Sequence, residues 1–549
     1  MDYSRWLVFT ILLPFFGAFL MGALAPMGRN VIRAAALGVA IATLALTCFL
    51  AANFPVGPEN QFADVAHSWI GGEDIGVNVQ FAVGLDGLSL WLFCLSALLL
   101  VTSVLISWEA IAERPSLYYA MLLLLTGGCL GVFAAKDIIL FYIFFEFTLI
   151  PLFFLIGIWG SEERRYAAIK FFLFTFAGSV LTFLGLLAIV FWVANDPAAP
   201  GGQGVLTFSI PDLTAALQTR PLPGALQLWV FLALFAGFAI KVPLFPLHTW
   251  LPLAHVQAPT AGSVFLAGVM LKMGTYGFLR FNIPMLPDAA ATLAPLLLWL
   301  AVIGIIYGAF VALAQSDMKR LIAYSSVSHL GFCMLGLFAL NRLGVYGGAL
   351  QMVNHGISTG ALFALVGMMY ERYHTREIRA FGGIARRAPW LAFFFLLFTF
   401  SSIGLPGMNG FAGEFPVLAG MFQASQTTQA WSSQYLVIAV LSVFGVVLGA
   451  WYMLWLVQRV FFGPLKEPPH NAHDAHLPAD LTWREVASLA PLAVFVFWIG
   501  LWPQFFLERM APTLDRSSNA AQQAVAESSP WRHAPARGVN KIARIEQEP

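Results

Sequence analysis

About fourteen times along its 549 residues, this chain runs for roughly twenty positions with almost nothing but apolar side chains. A helix of about 20 such residues crosses the hydrocarbon core of a bilayer and satisfies its own backbone hydrogen bonds. The runs lie near 4–24, 31–53, 86–107, 116–135, 138–159, 167–194, 227–250, 260–281, 291–314, 320–340, 345–370, 389–424, 435–461 and 486–508. The pattern predicts an all-α polytopic membrane protein of about 14 transmembrane helices. Composition agrees: 59% of residues are apolar and 10% charged, against roughly 45–50% and about 25% in soluble domains. A formal net charge of +1 offers nothing to nucleic acid. The first run follows an acid as well as Arg5, and another run comes directly after it, so it reads as a retained helix rather than a signal peptide.

The charges between runs predict the orientation. Lys and Arg concentrate on one side of a membrane in short loops. Connections after odd-numbered spans carry sixteen of them, Lys319 included, whereas the N-terminus and the connections after even-numbered spans up to the twelfth carry five. Odd exits therefore face the positive side. The loop at 55–85 holds Glu59, Asp64, Glu73 and Asp74 with no basic residue, and reads as an acidic loop on the opposite side. Beyond about Pro512 the chain turns polar and reads as a flexible tail, with no long amphipathic helix after the last span. Cys48, Cys94, Cys129 and Cys333 are far apart inside apolar runs and read as packing residues.

Two spans are interrupted. The seventh carries Pro243 and Pro246, and the twelfth carries Gly404, Pro406, Gly407 and Gly410. Proline removes a backbone hydrogen bond that lipid cannot replace. The two breaks share an Ile-x-x-Pro pattern at Ile240/Pro243 and Ile403/Pro406. They sit five spans apart, so they point in opposite directions across the membrane. Paired breaks of this kind mark transporter sites at the interface of inverted repeats.

Charges coincide with the breaks. Glu146, Lys241, Lys272 and Glu414 all fall well inside apolar runs, and His248, His329 and His355 lie in or near spans seven, ten and eleven. An ionisable group at membrane depth costs several kcal/mol, on the order of 2.5–3.5 on insertion scales, and functional use is its default reading. A lysine whose carboxylate partner moves away releases its proton more readily, so two states of a Glu146–Lys241 pair would make a switch. Lys272 lies too deep to reach an interface and suits onward relay. Glu414 suits a terminal exit, or alternatively caps the re-entering half-helix. The histidines suit a relay, with Ser325, Ser326, Ser328, Asn354 and Ser358 as polar neighbours, although each is equally readable as a hydrogen-bonded packing residue. His470, His473 and His476 with Asp474 have metal-like spacing but lie in a proline-rich loop, and read as surface. No nucleophile–base pair, phosphate loop or dinucleotide fingerprint is present in the sequence.

The stretch KVPLFPLHTWLPLAHVQAPTAGSVFLAGVMLKMGTYG, with DMKRLIAYSSVSHLGF and VNHGISTGALF further on, resembles the signature of the antiporter-like subunits of respiratory complex I. That family takes in complex I chains L, M and N and the Mrp-type cation/proton antiporter subunits. Glu414, where chains L and N usually carry lysine, and the segment ERYHTREIRAFGGIARRAP resemble chain M. The resemblance implies two inverted five-helix repeats, giving units at 1–110, 111–284 (first repeat), 285–465 (second repeat), 466–510 and a flexible tail at 511–549. It implies proton transfer through Glu146, Lys241, Lys272 and Glu414, with His248, His329 and His355 along the path. It also implies no cofactor in this chain: FMN, iron–sulfur clusters and the quinone pocket would belong to partner subunits. Expected partners are chains L and N, small membrane-arm subunits, the lipid bilayer and protons, with no nucleic acid, and the expected location is a bacterial inner membrane. Two rivals stand beside this reading: a subunit of a stand-alone cation/proton antiporter, and a membrane cytochrome with His248, His329 or His355 as axial haem ligands.

Overall fold

The computed structural model describes residues 2–57, 61–72, 76–195, 204–428, 431–468 and 479–527. Among the described residues, thirteen helices are long and apolar enough to cross a membrane: Tyr3–Ala23, Arg29–Ala52, Gly87–Ala110, Pro115–Ala134, Ile138–Trp159, Arg164–Ala194, Gly224–Lys241, Thr260–Met285, Pro287–Leu313, Met318–Phe338, Arg342–Tyr373, Ser432–Phe461 and Trp483–Leu501. The twelfth span is the broken pair Pro389–Ser402 and Asn409–Thr427, so each of the fourteen apolar runs has its counterpart. Spans eight, ten and eleven are almost wholly buried within the protein. Spans one, two and six turn apolar residues such as Phe16, Phe19, Ile41 and Leu173 outward, as lipid-facing helices do.

Both expected breaks are present. The seventh span stops at Lys241, and a half-helix, Trp250–Gln257, follows after residues 242–249. In the twelfth, Gly404 and Gly407 take φ of +73° and +89°, a region closed to most side chains. A Cβ on Gly404 would stand 3.0 Å from Glu414 Oε2. Gly404→Ala therefore costs about 1–2 kcal/mol in backbone strain and crowds Glu414, to be read as a lower unfolding temperature of the purified protein.

Three features depart from the sequence reading. Residues in the 55–85 loop form an antiparallel pair, β1 (Phe62–Gly72) and β2 (Val77–Leu85), extended by a short parallel strand β3 (Leu206–Thr207). The alternation Val77, Val79, Phe81, Val83, Leu85 is the period-two signal of a half-buried strand. Lys136 Nζ pairs with Asp64 of β1 at 2.5 Å, which fixes the sheet to the end of span four.

The tail is the second correction. Residues 504–527 form one helix, Gln504–Glu527, packed against spans three, nine and eleven and the end of span eight. Phe506, Met510, Leu514 and Ala521 are buried along one face, with Thr513, Ser517 and Ser518 between them. Small hydroxyl residues complete the buried stripe, which masked its helical period in a sequence that reads as polar. Trp91 Nε1 donates to the Phe506 carbonyl at 3.2 Å, and the Gly87 amide donates to Thr513 Oγ1 at 3.2 Å. Third, Cys48 is exposed, whereas Cys129 and Cys333 are buried and Cys94 packs, partly buried, against the core.

The start of span three is tied to the end of span eight. Asp86 caps span three by accepting from the Ser89 amide at 2.9 Å, and its Oδ2 pairs with Arg280 at 2.7 Å. Burial alone would raise this carboxyl, but the Arg280 charge and hydrogen bond outweigh it and hold it at about 2.

Candidate functional site

The span Thr260–Met285 is not a plain α-helix. Two π turns, Leu266–Met270 and Phe278–Asn282, interrupt it on either side of Lys272. Such turns disturb the regular ladder and recur at functional sites. Lys272, 0% exposed, donates to the carbonyl of Ala267 within the first π turn and meets His355 Nδ1 of span eleven at 2.6 Å.

From His355 the polar line continues into the second half of the protein. The rings of His355 and His329 lie 5.8 Å apart, centroid to centroid. His329 Nδ1 is 3.1 Å from Glu414 Oε1, and its Nε2 is 3.1 Å from Ser402 Oγ and 3.3 Å from the Tyr452 hydroxyl. Gln351 Nε2 donates to the same Glu414 oxygen at 3.0 Å. Beside the two histidines is a cavity of ≈ 10 Å³, lined by Gln351, Asn354, Ser358 and Ser401 among others. That is room for about one water. His355 Nε2 has no protein partner there. The structure thus brings together Lys272, His355, His329 and Glu414 in a continuous buried row.

The other three predicted residues stand apart from this row. Lys241, 3% exposed, rests 3.6 Å from the centroid of the Phe145 ring and donates to the Phe145 carbonyl at 3.4 Å. Glu146 is the next residue in the same helix, yet it forms no ion pair with Lys241, and its buried Oε1 has no hydrogen-bond partner. Ser179 of span six faces this carboxylate. His248 packs against Tyr307 and Phe245 at 5.1 and 5.8 Å, with Nδ1 unpartnered.

Several participants escaped sequence reasoning. Gln351 lies one helical turn before His355, a same-face spacing that was available as a signal. Tyr452 and Ser402 carried none. Lys319 was counted as a loop cation, but it is 6% exposed inside the protein. Among the described residues no group of three His, Cys, Asp or Glu is placed to hold a metal. The triad at His470, His473 and His476 with Asp474 lies outside the described residues.

Bilayer-spanning helices, two of them broken, enclosing a row of buried ionisable side chains define a polytopic membrane protein of the broken-helix class. Residues 135–449 match the family described as NADH:quinone oxidoreductase/Mrp antiporter, transmembrane. The NADH-quinone oxidoreductase subunit M of Rhodobacter capsulatus is 42% identical over 481 residues, covering 87% of this chain and 89% of that protein. A chain of respiratory complex I from Thermus thermophilus, solved with bound NADH, superposes with a TM-score of 0.80 at 33% identity, over 94% of this chain and 99% of that one. A chain of the Mrp complex from Dietzia sp. shares the fold at a TM-score of 0.75 and 20% identity, over 94% and 99%. The chain belongs to the NADH:quinone oxidoreductase/Mrp antiporter membrane-subunit family.

Proposed function

We propose that this chain is the M-type, membrane-arm subunit of a proton-translocating NADH:quinone oxidoreductase, and that it moves protons along the row Lys272–His355–His329–Glu414. The one observation that carries the relay is that row: four titratable groups, two of them joined to a histidine at 2.6 and 3.1 Å, inside an otherwise apolar bundle. The relatives bearing the subunit M name support the assignment to complex I. Likeness to the Mrp chain, at 20% identity, is a likeness of fold, and the stand-alone antiporter is not favoured.

In the relay the Lys272 ammonium passes a proton to Nδ1 of a neutral His355. The resulting imidazolium releases from Nε2, through water, toward His329. His329 then protonates Glu414, whose carboxylate accepts at Oε1. Glu146 and Lys241 form the switch of the first repeat (111–284), and Glu414 is its counterpart in the inverted second repeat (285–465). The present geometry, with Lys241 against Phe145 and no ion pair to Glu146, corresponds to the open position of that switch. His248, against Tyr307, lies on the branch that serves Lys241. FMN, iron–sulfur clusters and quinone reside in partner subunits. Chains L and N and small membrane subunits flank this chain in a bacterial inner membrane.

Glu414→Gln tests the relay. The amide keeps the shape and can still meet Gln351 and His329, but it cannot take a proton. NADH-driven proton uptake by inverted vesicles falls by about tenfold or more, while the complex still assembles. Undiminished translocation at the parental proton-to-electron ratio would sink the relay.

A further inference from the structure

We infer that Lys319 and His255 form a proton-uptake step on the positive side that loads Lys272 directly, without passing through Lys241. The inference rests on the relay proposed above and adds its source. A cavity of ≈ 420 Å³ opens among the odd-numbered connections, lined by Ser161, Thr260, Lys319, Glu371, His374 and Arg376. By the charge bias these connections face the positive side. Lys319 forms part of its wall, and its Nζ donates to the Ala258 carbonyl at 2.6 Å. Asp317 and Arg376, themselves paired at 3.3 Å, flank it.

His255, three residues before Ala258, is 0% exposed, its ring stacked on Phe363 at 4.4 Å. Both of its ring nitrogens lack any hydrogen-bond partner. A buried imidazole with two bare nitrogens is destabilised unless water or a proton donor meets it. His255 belongs to the half-helix Trp250–Gln257, whose following Ala258 carbonyl Lys319 holds, and it lies within electrostatic reach of both Lys319 and Lys272. Neutral histidine accepts at one nitrogen while releasing from the other. Lys319 therefore gives a proton to His255 and reloads from cavity water, and His255 passes one to the Lys272 amine after that amine has served His355. No electron moves, and each group returns to its starting state.

The plainer role for Lys319 is structural. Together with Arg376, which donates to the Val256 carbonyl at 3.0 Å, it caps the C-terminal end of the half-helix Trp250–Gln257. Arginine separates the two roles, because a guanidinium can cap a carbonyl but cannot release its proton. The experiment uses the whole complex in inverted vesicles and compares Lys319→Arg, His255→Phe and Lys272→Ala with the parent. Both NADH oxidation and proton uptake are read. We expect Lys319→Arg and His255→Phe to assemble normally and to lose proton translocation about tenfold, as Lys272→Ala does. In Lys319→Cys, 2-aminoethyl methanethiosulfonate, which restores a titratable amine, recovers translocation. Parental translocation in Lys319→Arg and His255→Phe, with Lys272→Ala silent, overturns the uptake step and leaves the relay standing. Parental translocation in Lys272→Ala overturns the relay itself. Should His255→Phe fail to assemble, Thr260→Cys decides: labelling by a membrane-impermeant thiol reagent from the positive side supports the route, and labelling only from the opposite side, or none, overturns it.

Discussion

Lys272→Ala lowers NADH-driven proton translocation of the assembled complex about tenfold or more, on the scale that positioned acid–base groups contribute, and leaves folding largely intact. The two halves of this expectation have separate causes. Translocation is lost because Lys272 is the group that connects the eighth span to His355, at 2.6 Å, and through it to His329 and Glu414. Folding survives because Lys272 forms no ion pair with a carboxylate among the described residues, so its removal strands no opposite charge. Lys272→Arg sharpens the test. It keeps a cation in place but one that stays charged at any accessible pH, and it is therefore as silent as alanine. Translocation measured by a pH-sensitive dye, beside NADH oxidation and assembly on a native gel, checks both statements. Parental pumping in Lys272→Arg would show that the charge matters and its proton does not.

Asp86→Ala has the largest expected effect on stability, about 3–5 kcal/mol. The aspartate holds Arg280 at 2.7 Å and caps span three, and its loss leaves a largely buried guanidinium without its counter-charge. Replacing both partners by apolar residues costs less than replacing one, so Asp86→Leu/Arg280→Met should unfold at a higher temperature than Asp86→Ala. The sign of the pH effect follows from the depressed carboxyl. The contribution is fully present above the ordinary value of 3.8 and disappears as pH falls through about 2. Unfolding curves of the detergent-solubilised complex should show little change from this pair between pH 7 and pH 5, and a loss of its contribution as pH falls from about 4 toward about 2.

The spans were legible because lipid imposes a length and forbids charge, and a residue such as Lys272 or Glu414 in an apolar run breaks that rule conspicuously. Lys319 broke the same rule unseen. It stands second in its helix, where a cation also suits a loop, and only the packing of Ala258 over it reveals the burial. The strand β2 was missed for the opposite reason, since a search for twenty-residue runs passes over a period-two pattern nine residues long. The row from Lys272 to Glu414 joins spans eight, ten, eleven and twelve, so its order depends on which helices are neighbours. Helical spacing within one span cannot carry that information. The Glu146–Lys241 pair shows the converse: sequence can place both residues inside apolar spans, but their separation is a property of the conformation.

The helix Gln504–Glu527 bears on how the protein can move. It touches the end of span eight on one side and spans nine and eleven on the other, with span three alongside. A strap fastened to both sides of a seam resists shear along it, since any sliding of span eight past spans nine and eleven would break several of these attachments together. Tyr346, bonded to Asp515 at 2.9 Å, adds a polar fastening on the same seam. Alternation of access therefore falls to side-chain rotation and the arrival or departure of single waters, at the join between His355 and His329 and at the Lys241 shelf on Phe145. Such events need only ångström-scale displacements, and the rest of the bundle can stay rigid and keep the membrane sealed.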